Sequence, residues 1–263
     1  MNKFFLYLDC DTWLHRLDGR TKVLSLLGLF VIALAFSDPR YVIVPTLILV
    51  ALIGSARAMQ NVRKIWILLT LLLLYCLLLW PFFVTGRTPF LTIGEHVVTW
   101  EAASFGLAMG LRLNLMLLGG ILLLSTTTIE DFTLALRRLG LPSSVSFALS
   151  LAFRWVPSLI ESAGSIVQAQ RARGLDLGTG HVLARLRRYP PLLVPLIGHQ
   201  LRQTRLLAMA LESKGFGPGA RRVSLRASSM RVLDWVTLTL VLAAAGVSLW
   251  LRLNGYGTVD VQL

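Results

Sequence analysis

The chain has 263 residues and a mean hydropathy of +0.69, and charged residues make up 15% of it, against about 25% in ordinary soluble domains. Its 26 Lys and Arg exceed its 13 Asp and Glu by 13, a balance that points to nucleic acid in a soluble chain and to cationic cytoplasmic loops in an apolar one. Long unbroken apolar runs exclude a β-barrel, whose strands alternate, and two cysteines, Cys10 and Cys76, give neither a disulfide framework nor a metal spacing.

In chain order, a charged leader with Asp9, Asp11 and Asp18 carries no small-residue cleavage site, so the first apolar run, about 22–37, reads as an uncleaved span. Asp38-Pro39-Arg40 makes a turn, and a second span covers about 41–56 with Pro45 in its first turn, where proline is tolerated. Arg57, Arg63 and Lys64 form a basic loop. The third span, 65–84, has no charge. Residues 85–100 read as a polar loop holding Glu95 and His96, with Glu101 beside it. The fourth span, about 102–124, contains Arg112 and Asn114; an intramembrane charge marks either a functional site or pairing within the bundle. The last span is about 233–251. Loop charge places the N-terminus and the 57–64 loop in the cytoplasm. With five spans, the segment from 125 to 231 is also cytoplasmic. The run 190–211 is not counted as a sixth span, because Arg202, Gln203 and Arg205 interrupt it.

The segment between Ser125 and Arg231 holds 15 Lys and Arg against five acids, a net charge of +10. It is not a disordered tail. Thr128 is an N-cap candidate with Glu130 and Asp131 in the first turn. That helix stops at Arg138-Leu139-Gly140, with Pro142 beyond. Ser143 or Ser144 then caps a longer helix. Along it Val145, Leu149, Ala152, Val156, Leu159, Ala163, Ile166 and Gln170 make one stripe at helical spacing. Its 30 residues from Ser144 to Arg173 span about 45 Å at 1.5 Å each, and Pro157 is expected to kink it. A second long helix starts near Pro190, carries Leu193, Ile197, Gln200, Thr204, Leu207 and Leu211 on one side, and ends at Lys214-Gly215. The fold class is therefore an all-α polytopic membrane protein: about five transmembrane helices plus a cytoplasmic pair of long amphipathic helices. Three regions follow: 1–125 with about four membrane helices, 126–231 as the amphipathic region, and 232–263 as a last membrane helix with a short tail.

Each long helix closes on a small residue, a cation and a glycine: Ala172-Arg173-Gly174 and Ser213-Lys214-Gly215. One reading is capping, in which glycine takes the left-handed position and the cation meets the negative end of the helix dipole. The other is docking, in which a stiff helix inserts a cationic tip into an acidic groove of a partner. Gly215-Phe216-Gly217-Pro218-Gly219 follows a helix and lacks the lysine and hydroxyl residue of a phosphate-binding loop, so it reads as a turn. His15, His96, His181 and His199 show no ligand spacing.

The ordered segments resemble a known family, the transmembrane T component of energy-coupling factor (ECF) transporters, which includes EcfT, CbiQ and BioN. Trp13–Leu24, "WLHRLDGRTKVL", is similar to the family's His-Arg-Leu-Asp-Pro-Arg-x-Lys motif with Gly19 in place of proline. Residues 124–142 and 149–174 are similar to its core signature. Residues 206–217 are similar to the segment with its second Ala-Arg-Gly motif, here Ser213-Lys214-Gly215, where lysine keeps the charge and lacks the guanidinium fork. The resemblance implies a coupling subunit of an ECF-type ABC importer. Ala172, Arg173, Gly174, Ser213, Lys214 and Gly215 would contact two cytoplasmic ABC-type ATPases, as a homo- or heterodimer. A membrane-embedded S component binding a vitamin or a transition-metal ion would meet apolar positions such as Leu149, Ala152, Val156, Leu159, Leu193, Ile197 and Leu207. It further implies no catalytic residue, metal or cofactor on this chain, ATP and Mg on the partner ATPases, and a multi-pass location in the plasma (inner) membrane of a prokaryote with the coupling region cytoplasmic. A self-sufficient carrier or channel is the alternative, against which stand the lack of an internal repeat and the few polar residues inside the spans. A membrane-embedded enzyme would have only Glu95, His96 and Glu101 to work with, and nucleic-acid binding lacks interleaved aromatics.

Overall fold

The computed structural model describes residues 8, 10, 12–84, 88–93, 96–175, 189–216 and 230–257. Asp9, Asp11, Glu95, His181 and the Gly217–Gly219 part of the glycine-rich turn lie outside the described residues. The elements are α1 (Gly19–Ala35), α2 (Pro39–Ser55), α3 (Met59–Phe83), a hairpin of β1 (Pro89–Ile93) and β2 (His96–Thr99), α4 (Trp100–Thr126), α5 (Ile129–Arg138), α6 (Ser143–Ala172), α7 (Pro190–Ser213) and α8 (Val232–Leu253). They form two compact units, one of Met1–Leu141 with Ser228–Leu263 and one of Pro142–Ala227. The polar loop expected at 85–100 is thus an antiparallel hairpin with Ile93 opposite His96. Thr88 donates to both carboxylate oxygens of Glu101, at 3.2 and 2.8 Å, and ties the hairpin to the start of α4.

Among the described residues, four helices are long and apolar enough to cross a membrane: α3, α4, α6 and α8. The chain is accordingly a multi-pass helical membrane protein. α6 reaches that threshold although its stripe assigns it to the amphipathic pair, and α1 and α2, expected as spans over about 22–37 and 41–56, are helices of 17 residues each, about 26 Å.

Local chemistry sets these boundaries. Asp18 caps α1 by accepting from the Arg20 amide, and Asp38 does the same for α2 with Arg40, with Pro39 in the first helical turn. Thr128 caps α5 as expected, accepting from the Asp131 amide at 3.1 Å. α6 begins at Ser143 with Pro142 in the N-cap position, which offers no side-chain cap. It runs on through Pro157 as one helix.

In the first unit α3 and α4 pack closely because α4 offers glycine on that face. A Cβ on Gly106 would lie 2.9 Å from the Cys76 carbonyl oxygen, and one on Gly110 would lie 3.2 Å from the Leu73 Cα. Asn114 donates from α4 to the Leu69 carbonyl at 3.2 Å. Arg112 pairs within the bundle: it donates to the Phe36 carbonyl just past the end of α1, and Arg252 of α8 donates to the Leu34 carbonyl. α1 has no basic residue in its own last turn, so two arginines from other helices satisfy its terminal carbonyls.

The opposite end of α1 is held by charge. Asp234, 2% exposed, accepts from the Asp18 amide at 2.8 Å and from the Arg231 amide at 2.7 Å, joining the starts of α1 and α8. Lys22 donates to the His15 and Thr126 carbonyls at 3.2 and 2.7 Å. Arg138 lies 4.0 Å from Asp18 and brings the end of α5 onto α1. A Cβ on Gly19 would meet the Asp131 carbonyl oxygen at 2.8 Å. The absence of a side chain there lets α5 sit against the first turn of α1.

Candidate functional site

The second unit consists, among the described residues, of α6 and α7 side by side. Two contacts fix their direction. Near the end of α6, Gln170 donates to the Pro191 carbonyl at the start of α7 at 3.2 Å. Near the start of α6, Phe147 packs on Phe216, just past α7, with ring centroids 4.6 Å apart. The helices are therefore antiparallel, and the two basic endings lie at opposite ends of the pair. Phe147 and Arg173 are 26 positions apart, so the endings are separated by about 40 Å along the helix axis.

The two endings are built alike. Gly174 has φ +87° and Gly215 has φ +71°. The Gly174 amide donates to the Arg171 carbonyl at 3.0 Å, and the Leu175 amide donates to Gln170 at 3.0 Å. The Gly215 amide donates to Glu212 and the Phe216 amide to Leu211, both at 2.9 Å. This is the Schellman ending, which satisfies the last helical carbonyls and requires the left-handed glycine. The same pattern closes α5 at Gly140 and α8 at Gly255. Capping thus accounts for both glycines. The C-cap residue itself is a cation in these two, Arg173 in α6 and Lys214 in α7, against Leu139 in α5 and Asn254 in α8, while α5 and α8 carry Arg137, Arg138 and Arg252 in the last turn. Both cations are exposed, and no described residue bonds to either side chain. Ala172 and Ser213 are exposed beside them, with the Ser213 hydroxyl donating to the Ala210 carbonyl at 3.0 Å.

The apolar positions divide between the two uses the sequence left open. Leu149 and Leu207 are half-buried, whereas Ala152, Val156, Leu159, Leu193 and Ile197 are exposed. Leu192 is the buried position of α7. Val194, Leu201, Leu206 and Met209 extend the exposed apolar surface of α7. The pair thus holds together along one seam and leaves apolar side chains uncovered elsewhere. Reading the sequence missed the contact of Phe147 with Phe216, which brings the second ending to the first turns of α6. A hydrophobic residue after a helix-ending glycine commonly packs back on its own helix, so nothing local pointed to Phe147.

Sequence similarity places the chain in a family. The family model described as cobalt transport protein, CbiQ, matches residues 11–225. The energy-coupling factor transporter transmembrane protein EcfT of Thermosediminibacter oceani is 31% identical, covering 87% of this chain and 89% of that protein. The protein of the same name from Heliobacterium modesticaldum is 32% identical over 89% of this chain and 91% of that protein. A longer protein of Bifidobacterium longum, named as an ABC transporter ATP-binding protein, is 29% identical over 85% of this chain and 30% of its own length. With a family model spanning most of its length and relatives of this identity over nearly all of it, the chain belongs to the CbiQ/EcfT family, the transmembrane T components of energy-coupling factor transporters.

Proposed function

We propose that the chain couples ATP hydrolysis by two cytoplasmic ABC-type ATPases to a separate membrane-embedded S component, for uptake of a vitamin or a transition-metal ion. The observation that carries this reading is the pair of exposed C-cap cations, Arg173 and Lys214, at opposite ends of an antiparallel helix pair. Each ending meets one ATPase. A separation of about 40 Å suits two sockets on two subunits better than one socket on one. Arg173 offers a two-pronged donor to an acidic recess, and Lys214 a compact charge. Ala172 and Ser213 keep the approach clear of bulk, and Gly174 and Gly215 turn the chain sharply away from the contact.

ATP and Mg belong to the ATPases, and this chain transmits their closing motion. As the ATPases approach one another, the endings are drawn with them and the helix pair changes its crossing. The exposed apolar side chains of α6 and α7, with Val156, Leu159, Leu193 and Ile197 at their centre, then shift against the S component and reorient it. The coupling unit is cytoplasmic and the remainder sits in the inner membrane of a prokaryote. The longer relative named as an ATP-binding protein supports the ATPase partnership, since it contains a segment similar to this chain.

The test is Arg173→Glu, with recovery of the ATPases measured by pull-down from detergent extract. Removing one partner of a buried charge pair costs about 2–5 kcal/mol, and reversal adds repulsion, so the ATPases are lost while membrane insertion persists. Normal recovery contradicts the proposal.

A further inference from the structure

The first unit contains a groove of about 800 Å³ between α1, α2, α4 and α8. Its walls are apolar, with Leu29 and Ile32 of α1, Val44 and Ile48 of α2, and Leu240 and Val247 of α8. Val44, Ile48 and Leu240 are 57%, 58% and 66% exposed, so the groove opens sideways instead of closing into a cavity. It runs the length of α1, from Lys22 to Phe36, about 21 Å. That exceeds the roughly 15 Å that half of a hydrocarbon core measures. Water has almost no hydrogen-bonding partners along these walls, and the volume falls within the roughly 300–1,000 Å³ of small-molecule sites.

The two ends differ in charge. At one end Lys22 is committed to two backbone carbonyls. At the other, Arg40 lines the groove, Arg252 follows the lining residue Leu251, and Arg112 donates to the lining residue Phe36. Arg112 and Arg252 use backbone carbonyls as acceptors, and among the described residues none of these three arginines pairs with a carboxylate. Among the described residues Asp38 is the one acid lining the groove, and it accepts from the Arg40 backbone amide at 2.9 Å. Three cations against one acid, among the described residues, leave this mouth positive. Tyr41, stacked on Phe36 with centroids 5.0 Å apart, adds an interfacial aromatic there.

We infer that this groove binds one anionic phospholipid, its acyl chain along α1 and its headgroup phosphate at Arg40 and Arg252. An apolar channel open to the bilayer takes a lipid tail, and the unmatched arginines select a negative headgroup over a zwitterionic one.

The full chain is purified in mild detergent with its partner subunits and titrated with phosphatidylglycerol or phosphatidylcholine, with bound lipid counted by native mass spectrometry. Wild type retains one phosphatidylglycerol in preference to phosphatidylcholine. Arg40→Gln reduces that preference about fivefold, the worth of one arginine beside an anionic surface, and Arg252→Gln does the same. Among the described residues the Arg40 side chain makes no hydrogen bond, so its variant stays interpretable even if Arg252→Gln loosens the end of α1. Ile48→Trp fills the groove and abolishes retention of both lipids, while Leu47→Trp, 64% exposed and outside the groove, does not. Equal retention of the two lipids by wild type overturns the inference, as does an unchanged preference in Arg40→Gln. So does a partner's helix occupying the groove in the assembled complex.

Discussion

Asp234→Ala tests how the membrane unit is held together. The Asp234 carboxylate accepts two amides, from Asp18 at 2.8 Å and from Arg231 at 2.7 Å, and is 2% exposed. Alanine removes both acceptors. The Asp18 amide is left buried with no acceptor, which costs about 1–3 kcal/mol. Arg231 is exposed, so its amide can turn to water, and only the capping contribution of about 1 kcal/mol is lost there. The sum, about 2–4 kcal/mol, corresponds to a fall in melting temperature of about 5–15 °C at about 2–4 °C per kcal/mol for a chain of this size. The assay is thermal unfolding of the detergent-solubilised protein, followed by loss of the monodisperse species at a fixed heating rate. Asp38→Ala is the control, because Asp38 caps α2 through a single, exposed amide contact; it falls by no more than about half as much. If Asp234→Ala and Asp38→Ala melt alike, within about 1 °C of wild type, the junction of α1 and α8 does not carry the stability assigned to it.

Lys214→Arg supports normal transport, since the charge is kept and a fork is gained, whereas Lys214→Glu releases one of the two ATPases. Substrate uptake and ATPase stoichiometry report both, and loss of uptake in Lys214→Arg means that the second socket is shaped for an ammonium. Gly106→Leu forces α3 from α4, because a Cβ there already meets the Cys76 carbonyl oxygen at 2.9 Å, and overpacking costs about 1–3 kcal/mol. The yield of folded monomer falls in size-exclusion profiles, while Gly120→Leu, with nothing within 4 Å of the added Cβ, leaves it unchanged.

Short-range chemistry was readable in the sequence, and long-range pairing was not. Thr128 and Gly140 were recognisable as the limits of α5 because a cap and a left-handed glycine act within one turn of the helix they close. The same holds for Gly174 and Gly215. The antiparallel register of α6 and α7 was not readable, because a stripe such as Val145, Leu149, Ala152 and Val156 shows that a face is apolar without saying what covers it. Three of those four positions are exposed in the fold. The hairpin escaped notice for a related reason. Its strands of five and four residues are too short to show a period among the charged residues that suggested a loop. Arg112 looked like a possible site because charge within a span is costly, yet its acceptor, the Phe36 carbonyl, lies 76 positions away.

The central claim is that Arg173 and Lys214 reach two different ATPase subunits. Site-specific cross-linking measures this directly: Cys10 and Cys76 are replaced by serine, and Ala172→Cys and Ser213→Cys are introduced singly and together into the assembled complex. Each single cysteine is expected to capture one ATPase, and the double variant to capture two on one chain. Failure of either ending to cross-link, or capture of a single ATPase by both, contradicts the account.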